Sequence, residues 1–142
     1  MKTLQTLTAS LLVLISVSAF AADDVTTKKL KIDYTLDTYV GAMANGKLEG
    51  LKNILADDMK YAVTRGDKVI NYTKSQLLSS LKESENVVQN CNTDYAFERI
   101  NSSQAKMKVS MKYESFTKIN YINLNQTEAG WQITKISSSY SK

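Results

Sequence analysis

The sequence predicts an α+β fold, with helices that come first and gather on one face of an antiparallel sheet. Two observations carry this expectation. Apolar residues recur at helical spacing through the first part of the chain, and from Cys91 to the end the period changes to two. A third observation bounds the organisation: no proline, five glycines and no low-complexity run leave no linker at which to divide the chain.

The first two dozen residues bear on compartment. Lys2 gives a positive start, the stretch from Leu11 to Val17 is almost wholly apolar, and Ala19-Phe20-Ala21 places small residues just before Asp23-Asp24. This is the pattern of a secretory signal peptide, residues 1–21, cleaved after Ala21. A membrane-spanning helix needs about 20 apolar residues, and this segment is shorter, so no membrane span is expected. No cysteine follows the apolar stretch to carry a lipid. Residues 22–142 are then expected to form one exported domain, soluble and either periplasmic or secreted; about 120 residues suffice for one core and not for two.

Between Thr27 and Ala44, residues Ile32, Leu36, Tyr39, Val40 and Met43 fall on one helical stripe. Asn45-Gly46 suits the left-handed turn that ends a helix. Leu48, Leu51, Ile54 and Leu55 mark a second, shorter helix that Asp57-Asp58 stops. Met59 to Thr64 and Lys68 to Tyr72 read as short strands around the turn Arg65-Gly66-Asp67. Thr73-Lys74-Ser75-Gln76 is a capping box, and Leu77, Leu78 and Leu81 give the third helix its inner face.

The remaining elements are strands. Asp94 to Ile100 closes in the turn Asn101-Ser102-Ser103. Ala105, Met107, Val109, Met111 and Tyr113 then alternate with Gln104, Lys106, Lys108, Ser110 and Lys112, the clearest strand of the chain. Ile119 to Asn125 and Trp131 to Tyr140 follow, separated by a turn around Glu128-Ala129-Gly130.

Composition closes several functional routes. With no histidine and one cysteine, the usual zinc sites and histidine-based catalysis cannot be assembled. Neither a phosphate-cradling glycine loop nor a Gly-x-Ser-x-Gly elbow occurs, and neither metal nor cofactor is expected. The net charge of +4 includes the leader, and Lys106, Lys108 and Lys112 alternate as the solvent face of a half-buried strand does, so no nucleic-acid partner is expected. Cys91 cannot form an intramolecular disulfide and is expected to be buried and inert. Arg65-Gly66-Asp67 matches an adhesion tripeptide, but glycine and aspartate are also ordinary turn residues.

The run from Tyr39 to Leu51, Tyr-Val-Gly-Ala-Met-Ala-Asn-Gly-Lys-Leu-Glu-Gly-Leu, followed by Leu55-Ala56-Asp57-Asp58, resembles the opening of nuclear transport factor 2-like proteins. That superfamily includes ketosteroid isomerase and the SnoaL-like and lumazine-binding-like groups. Gly130-Trp131-Gln132-Ile133 is similar to the start of the family's last strand. At Lys47 the chain departs from the family, which often has an acidic helix cap there. The resemblance implies three N-terminal helices packed on a strongly curved antiparallel sheet, a conical pocket between the two layers, and pairing of two copies through the exposed sheet.

Chemistry can be tested residue by residue. The isomerase uses an aspartate base and, as oxyanion donors, a tyrosine and a protonated aspartic acid. Tyr39 falls on the tyrosine's position, but the base falls on Val63 and the second acid near Ile122; a shift of two residues, to Asn120 or Leu124, supplies no acid either. Aliphatic side chains cannot move a proton. Other carboxylates are accounted for locally: Asp33 and Asp37 lie off the helix stripe. Asp94 and Glu98 share one face of a strand and stay open as atypical acids for an isomerase or dehydratase.

The leading expectation is therefore a small-molecule-binding or accessory domain that is not an enzyme. Its largely apolar cone would be lined by Tyr39, Tyr61, Val63, Tyr113 and Ile122, with an unidentified small apolar or aromatic ligand. Tyrosine suits such a site because it offers a flat apolar ring with a polar tip. The alternatives are the enzyme just described and a homodimeric protein-interaction module that pairs through its sheet.

Overall fold

The computed structural model describes residues 31–142. The signal peptide read at residues 1–21 and the helix start read at Thr27 lie outside the described residues. The chain runs through helix α1 (Ile32–Asn45), a single-turn helix α2 (Leu51–Ile54), the hairpin β1 (Leu55–Arg65) and β2 (Lys68–Thr73), helix α3 (Lys74–Lys82), and strands β3 (Asn92–Arg99), β4 (Gln104–Lys112), β5 (Thr117–Thr127) and β6 (Gly130–Ser141). The six strands form one sheet in the order β2-β1-β6-β5-β4-β3.

Helix α1 buries Leu36 and Tyr39 of the expected stripe together with Thr35 and Ala42, leaves Ile32, Val40 and Met43 half-buried against the core, and exposes Asp33 and Asp37. The Thr35 hydroxyl donates to the Trp131 carbonyl at 2.8 Å and so ties the helix to the start of β6. The helix ends at Gly46, whose φ of 64° is the left-handed conformation expected of the Asn45-Gly46 pair. Gly46 also holds up the long segment that follows α3: its carbonyl accepts from the Asn86 amide at 2.9 Å, and Ala44 accepts from Gln89 at 2.7 Å.

Two expectations about the second helix need correction. It is one turn long, and β1 begins directly at Leu55, so Asp57 and Asp58 lie inside the strand instead of stopping the helix. The physical reason is the burial of Leu55, Ala56 and Met59: an irregularity between Leu55 and Lys60 keeps these apolar residues covered while the aspartates face water. Lys47 is exposed in the loop ahead of α2, whose N-cap is Gly50 and has no side-chain cap bond. Helix α3 opens on the expected capping box, with Thr73 and Gln76 each accepting from the other's backbone amide. Its Lys74 ammonium bonds the Leu55 carbonyl at 2.7 Å and the Asp57 carboxylate at 2.9 Å, which pins α3 onto β1 and holds the exposed Asp57 carboxyl below its ordinary range.

The sheet is also not wholly antiparallel. β1 and β6 run parallel, while every other neighbouring pair is antiparallel. Helices α1 and α2 pack on β6, and α2 and α3 on β1. The inner face of β4 is the expected alternation, with Ala105, Met107, Val109 and Met111 each at 2% exposure or less and Lys106, Lys108 and Lys112 outside.

Gly46→Ala is expected to lower the melting temperature clearly. A Cβ there would lie 2.6–2.8 Å from backbone atoms of Ser84, Asn86 and Val87, in addition to about 1–2 kcal/mol for the left-handed backbone. Thermal unfolding followed by circular dichroism checks this; an unchanged midpoint would contradict the packing described.

Candidate functional site

Cross-strand register assigns each side chain to a face of the sheet, because directly paired residues project to the same side. One inner-face row crosses all six strands: Ile70, Val63, Ser138, Asn120, Val109 and Tyr95. Its four central members are 3% exposed or less, whereas Ile70 and Tyr95 at the two ends are 39% and 55% exposed. A second row contains Tyr72, Tyr61, Ile136, Ile122, Met107 and Phe97. This row carries most of the apolar floor. A third, nearer the sheet margin, contains Tyr140, Lys118, Met111 and Thr93.

Two polar residues stand at the centre of the first row. The Ser138 hydroxyl donates to Asn120 Oδ1, and both residues are buried. With Oδ1 so engaged, Asn120 Nδ2 is a buried donor with no partner among the described residues. From the helical layer, Tyr39 is fully buried and its phenol oxygen likewise finds no partner there. An unpaired buried polar group costs about 1–3 kcal/mol. Two on the covered side of one small fold are open to a partner other than the described side chains, such as a water or a ligand.

The five residues expected to line a pocket belong to this side of the sheet. Tyr39 and Ile122 are in the main core cluster, and Tyr61 and Tyr113 pack against it half-buried. Val63 is buried as well, outside that cluster and beside Ser138. Burial, and then the nearby Tyr61, push the Tyr39 hydroxyl far above the ordinary tyrosine range. Tyr39 therefore stays protonated and can donate. Tyr113 donates to Gln89 Oε1 at 3.1 Å and is pushed up to about 12, by burial first and then by the adjacent Cys91 thiol and by Tyr140.

An aromatic cluster continues from Tyr113 toward the margin. The Tyr113 ring stacks on Phe116 with centroids 4.6 Å apart, and Phe116 meets Tyr140 at 5.9 Å. Cys91 is half-buried, not buried as expected, with Sγ 3.6 Å from Thr93 Oγ1. It lies just before β3, the edge strand of the sheet, and packs only partly against the core.

Asp94 and Glu98 pair with Ser110 and Lys106 on the outer face, opposite the buried side, and both are exposed. A groove of about 300 Å³ lies on this outer face, and Glu98 lines it together with Ala96, Lys106, Lys108, Tyr121 and Asn123, with the Lys108 ammonium 5.8 Å from the Tyr121 ring centroid. Among the described residues no three metal-ligating side chains gather, and no helix is long and apolar enough to cross a membrane.

Sequence reasoning passed over the Ser138–Asn120 pair as a site feature. Asn120 was detectable, because it shares strand phase with Ile122 and Leu124, where an amide is out of place. Ser138 was not, because an irregularity beside Thr134 resets the phase of β6.

Comparison with known proteins agrees with this architecture. A family described as putative lumazine-binding matches residues 27–140. Among solved structures, a nuclear transport factor 2-like protein of unknown function from Silicibacter pomeroyi superposes with a TM-score of 0.61 at 12% identity, covering 87% of this chain and 98% of that one. One from Shewanella baltica gives 0.60 at 12% identity, over 89% and 99% of the two chains. One from Rhodospirillum rubrum, described as of unknown function in nutrient uptake, gives 0.57 at 18% identity over 79% and 99%. These likenesses show the fold. No curated protein matches the chain.

Two expectations follow for Tyr39. Since its hydroxyl has no partner among the described residues, Tyr39→Phe should not lower stability at pH 7 and should raise it by up to about 1–3 kcal/mol, the desolvation cost that it removes. Above pH 10.0, the value of an unperturbed tyrosine, the unfolded chain releases a proton that the folded chain keeps. Stability should then fall with rising pH, by up to about 1.4 kcal/mol per unit, and Tyr39→Phe should flatten that fall. Urea unfolding between pH 7 and pH 11 measures both; a loss of more than about 2 kcal/mol at pH 7 would reveal a bond to the phenol that this account lacks.

Proposed function

Because the chain belongs to the putative lumazine-binding family, we propose that it is a binding domain that holds a flat small molecule between α1 and the inner face of the sheet. The observation that carries the reading is the pair of buried polar groups without partners among the described residues, Tyr39 Oη and Asn120 Nδ2. A ligand bearing hydrogen-bond acceptors such as carbonyls would supply the partners these donors lack, and the surrounding rings and aliphatic side chains suit a planar body. Tyr61, Val63 and Ile122 supply that apolar contact, and Tyr113 lies toward the margin.

Binding without turnover is the form the inner face favours. Val63 and Ile122 offer no proton acceptor or donor, and Asn120 is an amide, which holds a carbonyl without exchanging a proton with it. Asp94 and Glu98, on the outer face, face away from this region. The reading places residues 22–142 outside the cytoplasm as one domain, after removal of the apolar leader ending in Ala19-Phe20-Ala21.

Lumazine itself is a suitable probe, being planar, with ring carbonyls. It should raise the melting temperature of the purified protein in a concentration-dependent way, because a ligand of the native state stabilises it by mass action. The double variant Asn120→Leu with Ser138→Ala removes both polar partners together, which is near neutral or stabilising in a buried site. Its ligand-free midpoint should therefore equal or exceed that of the parent, while the lumazine-dependent rise disappears. A rise that persists in the double variant would refute the assigned role of Asn120.

A further inference from the structure

We infer that the ligand of this site carries an anionic group and that Lys118 is the residue that receives it, an inference that rests on the binding reading above. Lys118 pairs with Met111 on one side and Tyr140 on the other, and Met111 is 2% exposed, so Lys118 belongs to the inner face. It is partly buried, and among the described residues no carboxylate lies within ion-pair distance of its ammonium. The one ion pair formed among them is Lys74 with Asp57, at the far side of the sheet on β1.

A lysine set at the margin of the inner face can lay its stem along that face and hold its ammonium toward the opening, where the charge has no partner until something negative approaches it. The neighbouring groups specify what approaches. Two residues further along β5 stands Asn120, whose free Nδ2 can only donate. Alternate residues of a strand are about 7 Å apart on one face. The inner side of β5 therefore presents two donors in line, an amide deep in the fold and a cation nearer the margin, followed inward by Ile122 and Leu124.

Such a lane is complementary to a planar molecule with a carbonyl at one place and a carboxylate or phosphate at the end that points outward. The aromatic cluster of Tyr113, Phe116 and Tyr140 stands beside that outer end. Glu114, in the turn between Tyr113 and Phe116, is exposed and forms no ion pair with Lys118, so the cation is left unpaired from that side among the described residues.

Calorimetric titration of the purified protein with two matched probes, lumazine and lumazine-6-carboxylate, tests this. The carboxylate should bind about tenfold more tightly, as expected of one charge-assisted contact at a partly screened site. Added sodium chloride should erode that advantage. Lys118→Met should bring the carboxylate to the affinity of lumazine, Lys118→Arg should retain the preference, and Lys108→Met, on the outer face, should alter neither. Equal affinity of the parent for both probes, or a preference that survives Lys118→Met, overturns the role of Lys118 while leaving the binding reading in place. Binding of neither probe overturns both.

Discussion

The parallel pairing of β1 with β6 is the constraint on which the rest depends. These strands lie far apart in the chain, and their pairing joins the early hairpin to the long meander β3–β6 so that six strands become one sheet. It sets Val63 beside Ser138 and Tyr61 beside Ile136, and thereby aligns the inner rows from edge to edge. The helices need the same join: α1 is bonded to β6 through Thr35, and α3 to β1 through Lys74. A slip of one residue would turn every inner side chain of β1 outward.

Within that frame the inner face is graded. At one end Ala105, Leu124 and Ile133 pack under the helices at 1% exposure or less. Toward the other end come Asn120 and Ser138, then Lys118 and the Tyr113–Phe116–Tyr140 cluster. Burying an amide and a hydroxyl in the middle of an apolar face does not serve stability, since an aliphatic pair would pack there without desolvation cost. On the proposed reading, the pair and the Tyr39 phenol opposite the sheet serve recognition of the ligand.

The sequence made the local elements legible and left their pairing hidden. The α1 stripe, the Gly46 stop, the Thr73 capping box and the β4 alternation each depend on residues within a few positions of one another, and all are present. Residues 55–58 misled because two aspartates after a short apolar run look like a helix end. Tertiary burial of Leu55 and Met59 outweighed that local signal. The candidate site was partly legible: Tyr39, Val63 and Ile122 were placed from strand or helix phase and family resemblance, and all three are buried. Ser138 depended on the irregularity at Thr134, which no local pattern announces, and the side taken by Asp94 and Glu98 needed the register of β3 on β4.

The central claim is that the Asn120 side-chain amide donates to a ligand on the covered side of the sheet. Nuclear magnetic resonance of nitrogen-15-labelled protein observes that amide directly. On titration with lumazine the account predicts a saturable shift of the Asn120 Nδ2 signals, with the outer-face backbone signals around Tyr121 unmoved. Saturable shifts confined to the outer face around Lys108 and Tyr121, with the Asn120 side chain unaffected, would contradict it.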